Sequence, residues 1–192
     1  MKRIVLLIGL IAAFALCASG QTYINFHEMP IASTPSPMPD FYPNGMFLYW
    51  DNFYYVTPGI WSGEGAGFWV DPSTQHNSVA FLGGPLCNLT VACSGSIKLS
   101  PPTMNAVNHT FRPMTMEVSA GWSPNRVTVL AYNNSQFIGQ VTWDLTMTPQ
   151  TLSFPAAWRV TQLVFTPEFI NANTVNPHNG SIVIYTFTLM PD

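Results

Sequence analysis

Hydrolytic chemistry needs a nucleophile with its base, a metal, or a pair of carboxylates, and this 192-residue sequence offers few side chains for any of them. Its four histidines, His27, His76, His109 and His178, stand far apart. "HEMPI" at 27–31 begins like a zinc-protease helix, but position 31 is Ile and Pro30 would interrupt the helix. There is no G-x-S-x-G elbow for a serine nucleophile. "GEGAG" at 63–67 is Gly-rich, yet it stands between Trp61 and Phe68 in a β context, as a surface loop does and a phosphate cradle does not. A glycosidase pair would have to be drawn from acids such as Asp51, Glu64, Asp71, Glu117 and Asp144. Glu117 and Asp144 read as outward strand positions, and no distinctive motif surrounds the others. The expectation is a protein that is not an enzyme.

Aromatic side chains are the remaining source of chemistry. Trp and Tyr can stack on the apolar C–H faces of sugar rings while their polar edges stay in water. Trp61 and Trp69 flank the Gly-rich loop, Trp122 lies in the "GWSPN" turn, and Tyr132 points outward from its strand, so these four are the glycan-binding candidates. Trp50, Phe53, Trp143 and Phe165 are assigned to the core, where sandwich proteins place most strand aromatics. The stretch "YPNGMFLYWDNFYYV", residues 42–56, carries seven aromatics and reads as one strand covered on both faces. A bulge or tight bend is expected at Asp51-Asn52.

The elements that must position these groups have a period of two. Met114, Met116 and Val118 alternate with Thr115, Glu117 and Ser119; Val127, Val129 and Ala131 alternate with Thr128, Leu130 and Tyr132. "YNNSQ" is the expected hairpin turn before "FIGQVTWDL". Further strands are expected at 22–26, 45–56, 67–70, 78–82, 95–99, 150–154, 161–165 and 181–190. Pro, Gly, Asn and Ser clusters separate them, and no window shows three turns of amphipathic helix. The fold class is therefore all-β, a two-sheet antiparallel sandwich of jelly-roll type with about ten strands.

Residues 1–20, "MKRIVLLIGLIAAFALCASG", follow the charged, apolar and small-residue order of a cleavable secretory signal, leaving 21–192 as a single sandwich domain. That segment leaves four basic residues against nine acidic ones, a formal charge of −5. Lys98, Arg112, Arg126 and Arg159 are scattered, which excludes a basic footprint for nucleic acid or for an anionic membrane. Charged residues are only 8% of the chain, so glycans are an attractive source of solubility. Four sequons would carry them, at Asn88, Asn108, Asn133 and Asn179. Cys87 and Cys93, six apart in an exported chain, read as a short-loop disulfide.

The order of motifs, "INFHEMP", "PNGMFLYWDNFYYV", "SVAFLGG", a strand ending in "AGW", "RVTVLAYNNSQ", "VTQLVFTP" and "IVIYTFTL", resembles a family of small secreted β-sandwich proteins found largely in fungi, with related domains in bacterial exported proteins. Phe26, Pro30, Trp50, Asn52, Phe53, Val160, Phe165 and Leu189 match its pattern. His27-Glu28 stands where that family has two aspartates, and Tyr185-Thr186 where it has Asp-Asn. If those positions meet in space, a structural calcium would have Glu28 as its one acidic ligand, a thin set, so no cofactor is expected. The resemblance implies a fold like that of carbohydrate-binding modules. The combined expectation is a secreted, N-glycosylated, non-enzymatic protein of the extracellular space or cell wall that binds glycan through loop aromatics. The alternatives are a secreted structural or protein-interaction factor, and a wall glycoside hydrolase.

Overall fold

The computed structural model describes residues 20–40, 42, 48–58, 78–82, 94–99, 109–121, 124–169 and 181–192. They form β1 (Thr22–Asn25), β2 (Ser36–Pro37), β3 (Leu48–Asp51), β4 (Phe53–Val56), β5 (Val79–Leu82), β6 (Gly95–Leu99), β7 (Phe111–Ala120), β8 (Asn125–Asn133), β9 (Gln136–Leu145), β10 (Gln150–Ser153), β11 (Gln162–Phe169) and β12 (Ile182–Pro191). One 3-10 turn, Phe26–Glu28, follows β1. Every pairing is antiparallel. The larger sheet has seven strands in the order β10-β7-β12-β5-β4-β2, with β1 also paired to β12. The smaller has five, in the order β3-β6-β11-β8-β9. The expected two-sheet antiparallel sandwich is thus the observed architecture.

Alternation builds the core. Met116 and Val118 of β7, Val127, Val129 and Ala131 of β8, and Ile182, Ile184, Phe187 and Leu189 of β12 are buried between the sheets. Phe26, Phe53, Phe111, Phe165 and Phe187 fill the middle, and each such side chain contributes about 1.5–3 kcal/mol by leaving water. Trp50 stands edge-on to Phe26, Phe53 and Phe187 at ring separations of 5.3, 5.5 and 6.4 Å. Its indole N–H donates to the Tyr42 carbonyl at 2.8 Å, so the buried ring leaves no polar atom unpaired. Trp143 is half-buried against Phe154 at 5.3 Å.

One expectation is overturned. The single strand covered on both sides expected at 45–56 is not found over its described residues, 48–56: β3 belongs to the five-stranded sheet and β4 to the seven-stranded one. The chain turns between sheets at Asn52, whose φ of 59° is left-handed, and its side-chain amide donates to the Ser94 carbonyl at 2.9 Å. Leu48 and Trp50 face inward before this corner, Phe53 after it. The inward parity shifts by one residue because the strand changes layer, and that shift made both faces look apolar in the sequence. Gly95 lies beside the corner. A Cβ there would run into the Leu82 side chain and stand 2.9 Å from the Asp51 carbonyl.

The β8–β9 hairpin turns at Asn134 and Ser135, with φ of 47° and 67°, the two positive values of a type I′ turn. At the other end of β8, Asn125 donates to the Ser181 carbonyl at 2.8 Å, tying the five-stranded sheet to the approach to β12.

Candidate functional site

The two sheets differ on their outer faces. On the seven-stranded sheet Val56, Val79, Phe81, Val183 and Tyr185 form a second buried cluster, none more than 3% exposed. Tyr185 shares a 2.9 Å hydrogen bond with Ser119, and the His27 ring stands edge-on to it at 6.2 Å. Burial pushes the Tyr185 phenol up to about 12; the Ser119 bond opposes that shift and nearby Glu117 adds to it. His27 is held below its ordinary value by burial, partly countered by Glu117. His27 and Tyr185, at two of the positions where the resembled family carries acids, therefore meet as packed rings.

Glu28 is exposed and accepts a 3.3 Å bond from Asn25. Among the described residues no three His, Cys, Asp or Glu side chains are grouped to hold a metal.

On the five-stranded sheet the outward residues in the register rows are exposed or half-buried apart from Ser96, which is buried. Tyr49 lies opposite Lys98, Lys98 opposite Gln162, Gln162 opposite Tyr132, and Tyr132 opposite Phe137. Five side chains from five strands thus form one line across the sheet, about 19 Å long at the usual strand spacing. The next row is Asp51, Ser96, Val164, Leu130 and Gln140. Beyond it Thr128 and Thr142 share a 3.0 Å bond, and Arg126 binds Asp144 at 2.6 Å. That bond and the paired charge hold the Asp144 carboxyl below its usual range.

Aromatic groups occupy the two ends of the first row. The Lys98 ammonium lies 4.8 Å from the centre of the Tyr49 ring. At the other end Tyr132 and Phe137 are 5.8 Å apart, and Phe137 is 52% exposed. The register slips by one residue between Ala131 and Tyr132, a β-bulge that leaves Ile138 as the extra residue and puts Phe137 beside Tyr132.

Tyr132 is the one glycan candidate within the described residues, and it is outward-facing and half-buried. Trp61, Trp69, Trp122, Cys87, Cys93, Asn88, Asn108 and Asn179 lie outside them. Asn133 is half-buried at the β8–β9 turn. Of the acids proposed for a catalytic pair, Asp51 and Asp144 sit on opposite edge strands of the five-stranded sheet, and Glu117 faces outward on the other sheet. Glu64 and Asp71 lie outside the described residues. The three described acids therefore make no pair with each other.

Tyr49, Lys98, Gln162 and Phe137 were not visible as a group in the sequence. Only the β8–β9 hairpin carried a local signal, because the other pairings join strands far apart in the chain.

No protein-family model and no curated protein matches the chain. Among solved structures, a DUF4465 family protein from Bacteroides ovatus is similar, with a TM-score of 0.53 at 9% identity, covering 91% of this chain and 99% of that one. A family 29 carbohydrate-binding module gives 0.38 at 12% identity over 90% and 89%. A family 32 module from C. perfringens NanJ gives 0.33 at 9% over 90% and 94%. The first of these likenesses extends to the fold.

Proposed function

We propose that this protein is an extracellular, non-enzymatic glycan-binding sandwich whose ligand lies on the outer face of the five-stranded sheet. The observation that carries the reading is the row Tyr49, Lys98, Gln162, Tyr132 and Phe137. It offers an aromatic pair for a sugar's C–H face and an amide and an ammonium for its oxygens, beside half-buried Val164 and Leu130. The face is open, whereas the corresponding face of the other sheet has its apolar cluster buried. The signal-like residues 1–20, the four sequons and the resemblance to small secreted sandwich proteins support an exported glycoprotein.

Retention on insoluble chitin, cellulose and β-glucan tests the reading. Retention is expected on at least one polysaccharide, and Tyr132→Ala and Phe137→Ala should abolish it. Parallel Trp61→Ala, Trp69→Ala and Trp122→Ala variants measure the loop aromatics. A folded protein retained by none of the polymers, pectate included, would remove the reading.

A protein partner is the second reading. It is favoured by β9, a ten-residue edge strand that pairs only with β8 among the described residues and exposes Phe137 and Ile138.

A further inference from the structure

We propose that the open face selects a polysaccharide bearing carboxylates, a chain of uronic acids laid across the strands from Tyr132 to Lys98. This rests on the glycan reading above and names the class of sugar.

The charges point to it. Of the four cations in the described residues, Arg126 is bonded to Asp144 at 2.6 Å and Arg159 to Asp192 at 2.7 Å. Arg112 donates to the Met190 sulfur at 3.1 Å, on the other sheet. Lys98 is the remaining one. It is exposed on the open face, and no carboxylate among the described residues lies within ion-pair distance of it. Its ammonium is steadied over the Tyr49 ring by a cation–π contact, which restrains the side chain without neutralising it.

That contact also divides the row into two functions. The ammonium covers one face of Tyr49, so stacking falls to Tyr132 and Phe137. Lys98 is two strands from Tyr132, about 10 Å at ordinary strand spacing. Gln162 stands between them, opposite both. A sugar stacked on Tyr132 would therefore send its neighbour in the chain over Gln162 towards Lys98. A carboxylate there accepts a charge-assisted hydrogen bond from the ammonium, and the Gln162 amide can serve the second oxygen or a hydroxyl. A neutral sugar supplies no countercharge. Asp51, in the adjacent row, opposes an anionic ligand from close by and makes no ion pair with Lys98.

Affinity electrophoresis of the mature protein in EDTA tests this with three polymers: polygalacturonate, its fully methyl-esterified form, and a neutral β-glucan. EDTA removes metal bridges between protein and polymer. The free acid should bind about fivefold more tightly than the ester, the scale of a solvent-exposed ion pair, and the preference should shrink with salt. Lys98→Gln should erase the preference, Lys98→Arg should keep it, and Asp51→Asn should strengthen it. Equal binding of acid and ester, with Tyr132→Ala releasing both, would overturn the acid selectivity and leave the platform standing. So would a preference that survives in Lys98→Gln. Binding to none of the three by a protein with a native melting transition would overturn the selectivity, and the platform as well once chitin and cellulose also fail to retain it.

Discussion

The outward positions of the two sheets hold similar residues and meet different fates. Phe81, Tyr185 and Val183 on the seven-stranded sheet are almost wholly buried, while Phe137, Tyr132 and Tyr49 on the five-stranded sheet are exposed or half-exposed. Alternation within a strand tells which residues oppose the core. It does not tell whether a second layer covers them. On the larger sheet, the segment after β1 is tied to the end of β4 and the start of β5: the Ala32 amide donates to the Thr57 hydroxyl at 3.0 Å, and Ser78 donates to the Pro30 carbonyl at 2.8 Å. An aromatic residue there stabilises the fold; on the smaller sheet it stays in contact with solvent.

The most direct way to break this comparison is to truncate one ring on each face. Phe81→Ala should cost about 3 kcal/mol or more in denaturant melts, because it empties a buried site. Phe137→Ala should stay within about 0.5 kcal/mol yet lose polysaccharide binding. Equal costs would mean that both faces are structural, and the proposed platform would have to be abandoned.

The corner shared by the sheets comes next. Gly95→Ala should destabilise by about 1–3 kcal/mol, since the added methyl meets backbone and the Leu82 side chain together.

Tyr185→Phe, which removes the bond to Ser119, should cost about 1 kcal/mol near neutral pH. Its alkaline behaviour sharpens the contrast further. The folded phenol is raised to about 12 from an ordinary value near 10, so the unfolded chain releases this proton first. Stability linked to Tyr185 is then fully present below pH 10 and is lost as pH rises towards 12. The phenylalanine variant should show a shallower decline over that window, measured as melting temperature against pH.

The smallest effect is expected on the open face itself. Asp144→Asn breaks the exposed pair with Arg126 and should leave the melting temperature unchanged within error.

Much of the sandwich was legible from period-two patterning, because core burial and strand geometry impose the same alternation. Of the eight residues behind the family resemblance, Phe26, Trp50, Phe53, Val160, Phe165 and Leu189 are buried, whereas Pro30 is exposed and Asn52 half-buried at the corner, so the resemblance reports mainly packing. The Asn52 corner was half-legible. An Asp-Asn pair inside an aromatic run signalled a bend, but the transfer between sheets depends on where β6 and β5 lie. The row proposed to bind glycan was the least legible part. Lys98 in "GSIKL" and Gln162 in "TQLVF" look like ordinary polar positions, and nothing local states that β6 and β11 are neighbours. Tyr132 could be picked because alternation alone placed it outward.

β12 pairs with β7 along one edge and with β5 and β1 along the other, although it is the last strand of the sandwich in chain order. The larger sheet consequently lacks its central member until residues 182–191 are available, and strands more than a hundred residues apart must wait for it. That sheet therefore closes through contacts of long sequence separation and should form later than the local β8–β9 hairpin.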